Sequence, residues 1–190
     1  EKKKDLPYLI HQIVKKFSPP RIRLSSIEPW DIEENFLEVL NLPGFCQHLH
    51  LPLQSGSDAT LKRMGRRITT SDFQYVLDLI RKSFPDIAIT TDVIVGFPGE
   101  SEKDFLKSLE FIRKMSFAGG HIFSFSVRSG TVAENMPEQI PSHIKKNRSK
   151  IMRDEIRSSA LNYRKKFFHK EVSVLWEKTK YSKGIWSASG

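Results

Sequence analysis

Four short segments, each directly after a predicted strand, contain the residues best suited to hold a ligand. Each combines small residues, which let a ligand approach the backbone, with hydrogen-bonding side chains that could orient it. In parallel α/β folds, the loops after the strands meet at one edge of the sheet. The pattern therefore favours a site for a polar cofactor with a ribose and a flat base over four unrelated turns. The segments are residues 25–29, 54–57, 96–100 and 126–131.

Three histidines on predicted strands raise the question of a metal site. His48 and His50 are separated by one residue, so a strand places both rings on one face, and His121 begins a later strand. Asp92 lies on a neighbouring strand, but no cluster of carboxylates accompanies the histidines. We interpret them as polar interior residues of a barrel, and the sequence predicts no metal site.

The sequence excludes several classes of protein. Cys46 is the only cysteine, which rules out an internal disulfide and fits a reducing cytoplasm. The longest apolar run, around Ile94, is interrupted by Gly96 and Pro98 and is too short to span a membrane. The absence of a Walker loop, a Rossmann glycine pattern and a G-x-S-x-G elbow argues against an NTPase, a dehydrogenase and an α/β-hydrolase.

The basic charge is concentrated near the end of the chain. The protein has 31 basic and 22 acidic residues, and residues 143–170 contain ten Lys or Arg against two acids. Such a stretch favours a polyanionic partner, because Lys and Arg displace the counterions that condense on phosphates, although solubility alone could also explain it. The candidate RNA-binding residues are Lys145, Lys146, Arg148, Arg164, Lys165 and Lys166.

Predicted strands and helices alternate along the chain, which indicates parallel βα units and an α/β fold. The strand at 87–95 is apolar enough to be buried on both faces. A long helix closes this part of the chain, and the alternating residues 171–176 predict the first strand of a separate small β domain. The predicted strands are 21–26, 48–53, 87–95 and 121–127, and the predicted helices are 5–17, 31–40, 59–64, 73–84, 101–112 and 142–168.

The strand-end segments resemble the radical S-adenosylmethionine (SAM) methylthiotransferases in order and spacing. The matching segments are residues 21–29, 50–58, 92–100 and 128–133, with 61–67 fitting the helix after the second of them. The resemblance extends over residues 5–177. Residues 174–177 resemble the first strand of the RNA-binding TRAM domain of that family.

This resemblance implies a partial radical SAM (β/α)6 half-barrel, an incomplete TIM-like barrel, over residues 1–168. Residues 169–190 would begin a truncated TRAM-like domain. The parent protein would be an enzyme that uses SAM and 4Fe–4S clusters, with the CxxxCxxC ligands outside this chain and no catalytic residue within it. We expect the exposed barrel edge of such a fragment to pair with a neighbouring chain or with a covering segment.

The resemblance also implies where SAM binds. Polar contacts are expected from the first two segments and packing on the adenine from the strand that runs into the third. An aromatic, a hydroxyl and a guanidinium are expected at the end of the last barrel strand. The expected SAM-binding residues are Ser26, Glu28, Gln54, Ser55, Val93, Ile94, Gly96, Phe97, Phe123, Ser126 and Arg128.

Three substrates are familiar in this family: threonylcarbamoyl-adenosine in tRNA, isopentenyl-adenosine in tRNA, and an aspartate of a ribosomal protein. Residues 25–29 and 121–123 resemble the threonylcarbamoyl-adenosine branch most, so the expected reaction adds a methylthio group to C2 of that nucleoside beside the anticodon. A non-enzymatic alternative is an RNA-binding module that uses the basic helix and the β tail without a SAM site.

Overall fold

The computed structural model describes residues 4–182 and 184–189. Two short 3-10 helices, Pro29–Asp31 and Val132–Asn135, lie among the connections. The helices are α1 (Leu6–Phe17), α2 (Glu34–Val39), α3 (Asp58–Arg63), α4 (Thr70–Ser83), α5 (Glu102–Met115) and α6 (Ser142–Lys165), and the strands are β1 (His48–His50), β2 (Ala88–Val95), β3 (Gly119–Ser124), β4 (Lys178–Ser182) and β5 (Ile185–Ser189).

Side-chain caps begin three of the helices, whereas the predicted helix start at Asp31 is wrong, because α2 begins at Glu34 without a side-chain cap. The capping box predicted at Ser101 and Asp104 is present: the Ser101 hydroxyl accepts from the Asp104 N–H, and the Asp104 carboxylate accepts from the Ser101 N–H. Thr69 and Asp72 form the same arrangement at the start of α4. The Asp5 side chain accepts from the Tyr8 N–H and begins α1.

The central sheet has the parallel order β1-β2-β3, as the alternation of strands and helices predicted. A further stretch runs parallel beside β1, but only through isolated bridges that join Ile22 to Phe45 and Ser26 to His50. The predicted strand at 21–26 is therefore an extended segment with two pairing points. This segment and the three strands thus run parallel to one another, which is consistent with part of a barrel.

The two faces of the sheet differ, which corrects the expectation that β2 is buried on both. Burial alternates along β2: Ile89, Val93 and Val95 lie in the hydrophobic core, whereas residues 90, 92 and 94 are half-buried on the other face. The core face packs under the helices. The other face is the inner side of an open barrel, so it carries polar side chains.

The loop after β1 is packed tightly against α5. A Cβ built on Gly56 would lie 2.8 Å from the Phe111 Cβ and from the Ser108 carbonyl oxygen, so only glycine fits there. The Gly56 N–H donates to the Ser108 hydroxyl at 2.8 Å. This contact places the second predicted ligand segment on a rigid helix.

Several predicted boundaries are wrong. Strand β3 includes Gly119 and Gly120, which were expected to precede it, and ends at Ser124. Residues 171–176 have no regular structure, and an antiparallel hairpin of β4 and β5 follows them instead. The assignment of this tail to a TRAM-like domain stays a prediction. Of the helices that the structure describes, none is both long enough and apolar enough to span a bilayer.

Candidate functional site

The inner face of the sheet forms two cavities that follow one another along β2 and β3. In the register of these strands, Asp92 pairs with His121 and Ile94 pairs with Phe123. The first pair lines a cleft of about 620 Å³, and the second pair lines a cavity of about 430 Å³. Because residues two apart on a strand point to the same side, the two cavities share one surface.

The 430 Å³ cavity, called here the strand-end cavity, brings together four of the predicted SAM-binding residues: Ile94, Phe123, Ser126 and Arg128. Ile94 and the half-exposed ring of Phe123 supply an apolar wall on which a flat base could lie. The hydroxyl of Ser126 and the guanidinium of Arg128 add a hydrogen-bonding group and a cation that can pair with a carboxylate. This donor set fits a charged nucleoside such as SAM.

Gln54 connects the loop after β1 to the edge of β2. Its N–H donates to the Asp92 carbonyl and its carbonyl accepts from the Ile94 N–H, both at 2.8 Å. Its φ of 72° is left-handed, a conformation uncommon for a residue with a side chain. The two backbone bonds hold this conformation, so Gln54 lies beside the strand that lines both cavities.

Other predicted SAM-binding residues are enclosed by protein. Ser55 is fully buried and its hydroxyl accepts from the Ser57 N–H at 3.2 Å. The Val93 side chain lies in the hydrophobic core, on the opposite face from the cavities. Gly96 donates its N–H to Glu100, and the buried Phe97 ring meets Phe125 edge-to-face at 5.1 Å. These residues shape the loops around the two cavities, but their side chains do not line either cavity.

Glu28 is held by a residue that sequence analysis did not single out. Arg66 donates through two nitrogens to the two Glu28 carboxylate oxygens, at 3.2 and 2.5 Å, and also to the Pro52 carbonyl. Its guanidinium lies over the Trp30 ring. Arg66 thus ties the first strand-end segment to the second. Its only sequence signal was its place in the matching segment 61–67.

The predicted RNA-binding residues separate into two groups. Arg148 is 5% exposed and donates to the Glu100 carboxylate and carbonyl, both at 2.8 Å, so its assignment to RNA binding is wrong. Lys145 is half-buried and donates to the Phe125 carbonyl at 3.0 Å. The remaining four candidates, Lys146, Arg164, Lys165 and Lys166, are exposed on or just after α6.

The three histidines of the predicted strands have different contacts. His50 Nε2 lies 3.2 Å from Asp92 Oδ2, and His121 Nδ1 lies 3.1 Å from Asp92 Oδ1. The His48 ring instead contacts Arg23 and the Thr90 hydroxyl, which His50 also contacts. Burial, with the nearby charge of Arg23 adding to it, lowers the pKa of His48 to about 4.

The cluster of His50, Asp92 and His121 was not expected from the sequence. Asp92 was recognised only as a carboxylate on a neighbouring strand. The register between the strands places Asp92 between two imidazoles. The periodicity of a sequence does not reveal which residues of two strands pair.

Cys46 does not suit an iron–sulfur cluster. It is half-buried and lies before β1, whereas the strand-end segments follow the strands. A cluster is held by several cysteine thiolates, and this sequence has one cysteine. The residues of this chain therefore fit SAM but not the cluster.

Comparisons with known proteins agree with this architecture. A model of the radical SAM superfamily, whose members use SAM and a 4Fe–4S cluster, matches residues 3–112. The chain is 44% identical over 158 residues to "Threonylcarbamoyladenosine tRNA methylthiotransferase MtaB" of Thermotoga maritima, covering 83% of this chain and 36% of that protein. It is also 44% identical over 129 residues to "tRNA-2-methylthio-N(6)-dimethylallyladenosine synthase" of Thermoanaerobacter sp., covering 67% of this chain and 27% of that protein.

Solved structures share the fold at low sequence identity. Coproporphyrinogen III oxidase (HemN) from Escherichia coli superposes with a TM-score of 0.52 at 16% identity, over 74% of this chain and 31% of that one. The radical SAM methyltransferase TsrM from Kitasatospora setae gives 0.50 at 17% identity, over 62% of this chain and 24% of that one.

The chain thus spans about a third of the length of the curated relatives it matches. The superfamily match covers more than half of the chain, and the parallel sheet with its inner cavities is the architecture that the match implies. The chain belongs to the radical SAM superfamily.

Proposed function

We propose that the whole protein is a radical SAM tRNA methylthiotransferase that adds a methylthio group to C2 of N6-threonylcarbamoyladenosine. The observation that carries this proposal is the 44% identity to the threonylcarbamoyladenosine enzyme of Thermotoga maritima, which extends over 83% of this chain. The strand-end cavity supports it, because its apolar wall and its polar end suit the adenine and the amino-acid group of SAM.

Within this proposal, the chain supplies the binding surface. Ile94 and Phe123 would hold the flat base, and Arg128 would pair with the SAM carboxylate. Ser26 lines the neighbouring cleft, and Gln54 is fixed beside β2. Glu28 would act through its ion pair with Arg66, which joins the first two strand-end segments. SAM and the cluster, when bound, supply the radical chemistry that replaces an unreactive C–H bond.

The cluster ligands would come from another part of the whole protein, because this chain has one cysteine. The tRNA would contact the exposed basic residues on or just after α6, which are Lys146, Arg164, Lys165 and Lys166. The β4–β5 hairpin that follows them would belong to an RNA-binding TRAM-like domain. Association of this fragment with another chain through its barrel edge stays a prediction.

A second candidate substrate is dimethylallyl-adenosine, the isopentenyl-adenosine alternative. Relatives named for that substrate are 44% identical over 129 residues and 40% identical over 158 residues. The 44% identity equals that to the threonylcarbamoyladenosine enzyme, but it extends over less of this chain. We therefore favour threonylcarbamoyladenosine as the substrate.

The test is deletion of the gene followed by mass spectrometry of nucleosides from bulk tRNA. We expect the methylthio derivative of threonylcarbamoyladenosine to disappear, its unmodified precursor to accumulate, and the full-length gene to restore it. Loss of the methylthio derivative of isopentenyladenosine instead would establish the second candidate. Unchanged tRNA nucleosides would contradict both, and loss of a methylthio group from a ribosomal-protein aspartate would then assign the third branch.

A further inference from the structure

Two imidazoles and one carboxylate meet on the inner face of the sheet, in the cleft beside the strand-end cavity. Their donor atoms all lie within 4.8 Å of one another. We infer that His50, Asp92 and His121 form a binding site for a divalent first-row transition metal, of which Zn²⁺ is the representative. The inference does not depend on which nucleoside the whole protein modifies, nor on its being a methylthiotransferase.

The separations of the donor atoms suit such an ion. Bonds of 2.0–2.2 Å to nitrogen and oxygen in a tetrahedral site place neighbouring donors about 3.3 Å apart. Asp92 Oδ2 lies 3.2 Å from His50 Nε2, and Asp92 Oδ1 lies 3.1 Å from His121 Nδ1. Both separations are close to this value, so the spacing between the carboxylate and each ring suits one bound metal ion.

The backbone holds the three ligands on rigid elements. His50, Asp92 and His121 come from three neighbouring strands, β1, β2 and β3. Asp92 is the direct partner of His121 in the parallel register, and His50 pairs with Thr90, two residues before Asp92 on the same face. Sites built on strands keep their geometry better than sites built on loops, so the arrangement does not rely on a mobile segment.

His50 also has the outer contact that metal-binding histidines usually have. Its second nitrogen, Nδ1, lies 3.0 Å from the Thr90 hydroxyl, so Nδ1–H can donate to Thr90 while Nε2 keeps its lone pair for the metal. The Thr90 hydroxyl in turn lies 3.5 Å from the Leu49 carbonyl. This contact would orient the ring and select the tautomer that can bind.

The donor set and the surroundings indicate the class of metal and leave one coordination position open. Two imidazoles with one carboxylate suit Zn²⁺, Fe²⁺ or Co²⁺ better than Ca²⁺ or Mg²⁺, which prefer oxygen ligands. The cleft beside the cluster has a volume of about 620 Å³, and the His121 side chain is 72% exposed. A three-ligand site that faces such a cleft binds water or a heteroatom of a small molecule in its fourth position.

The experiment uses the full-length protein with its iron–sulfur clusters loaded, so that cluster cysteines do not bind zinc. After treatment with a chelator, the protein is dialysed against ZnCl2 and its zinc content is measured by mass spectrometry. We expect about one zinc ion per chain in the wild type, with an X-ray absorption shell of nitrogen and oxygen at about 2.0–2.1 Å and no sulfur at about 2.3 Å.

Variants identify the ligands. Asp92→Asn and His121→Gln should lose the zinc, and Thr90→Val should weaken zinc binding by about tenfold or more. His11→Gln is the control, because His11 is exposed on α1 and does not line the cleft, and it should keep the zinc. Because His121 is exposed, His121→Gln decides the question even if Asp92→Asn does not fold. Equal zinc in wild type and His121→Gln, or a sulfur shell, would show that the three residues are only hydrogen-bonded to each other.

Discussion

The guanidinium of Arg148 on α6 lies 2.8 Å from the carboxylate of Glu100, at the end of the loop after β2, and both side chains are almost completely buried. The same carboxylate accepts from the Gly96 N–H at 2.7 Å. One ion pair therefore joins the third strand-end segment to the long helix that crosses the sheet, and it fixes the loop next to the strand-end cavity.

Removing one partner of this pair should destabilise the fold strongly. Arg148→Met leaves the Glu100 carboxylate buried without its cation, for which a loss of about 3–5 kcal/mol in the free energy of unfolding is expected. The double variant Glu100→Gln/Arg148→Met should recover part of that loss. Urea unfolding measures both. The control is Arg157→Met on the same helix, whose exposed pair with Asp154 should contribute about 1 kcal/mol or less. Equal effects at 148 and 157 would contradict the buried ion pair.

Arg66 should not be replaceable by lysine. Its planar guanidinium contacts both Glu28 oxygens and the Pro52 carbonyl, and an ammonium cannot reproduce that fork. We expect Arg66→Lys to lower the free energy of unfolding by about 1.5–3 kcal/mol, the range for a hydrogen bond to a charged group. Arg67→Lys, at the exposed neighbouring position, is the control. If both variants unfold at the same urea concentration, Arg66 does not hold the two segments together.

His48 should make stability depend on pH in the acid range. Burial and the charge of Arg23 lower the pKa of folded His48 from 6.5 to about 4. Between these values the unfolded chain binds more protons than the folded chain, so the free energy of unfolding should fall as the pH falls from about 6.5 to about 4. NMR of the imidazole carbons should give a titration midpoint near 4 for His48.

The matching variant is His48→Gln, which should flatten this part of the stability profile, whereas His11→Gln on the exposed side of α1 should not. A midpoint for His48 at or above 6.5 would contradict the burial and the Arg23 contact seen in the structure.

Arg128 should contribute to SAM affinity if the strand-end cavity is the SAM site. Loss of one charged hydrogen bond corresponds to about a 10- to 100-fold weaker affinity, so Arg128→Ala should raise the Kd for SAM by that factor. Calorimetry on the cluster-loaded full-length protein measures it. Arg21→Ala is the control, because Arg21 is exposed at the start of the extended segment 21–26 and does not line the strand-end cavity. An unchanged Kd in Arg128→Ala would show that the SAM carboxylate does not bind in this cavity.

The exposed basic residues on α6 should set the salt dependence of tRNA binding. Replacing Lys146, Arg164 and Lys165 by Gln removes three cations that could displace counterions, so the slope of log K against log salt should decrease by about 2. Filter binding at several KCl concentrations measures the slope. Lys103→Gln, at an exposed position on α5, should leave it unchanged. A slope equal to that of the wild type would exclude this surface as the tRNA contact.

The sequence by itself determined the features that depend on neighbouring residues. The capping box at Ser101 and Asp104, the alternation of strands and helices, and the four strand-end segments were all predicted, because each arises from side chains a few positions apart. The family could be predicted for the same reason, since its motifs are short and lie in a set order. Boundaries were less predictable: the glycines at 119 and 120 are part of β3 because strand pairing outweighs their weak propensity.

Only the tertiary structure decided which of these residues act together. The side chains of Val93 and Ile94 are adjacent in sequence, yet one is in the core and the other lines the strand-end cavity, because the sheet is covered on one face only. Arg148 pairs with Glu100 across 48 positions. Asp92 meets two histidines through strand register. Contacts over such separations depend on how helices and strands pack, and no local pattern in the chain encodes that packing.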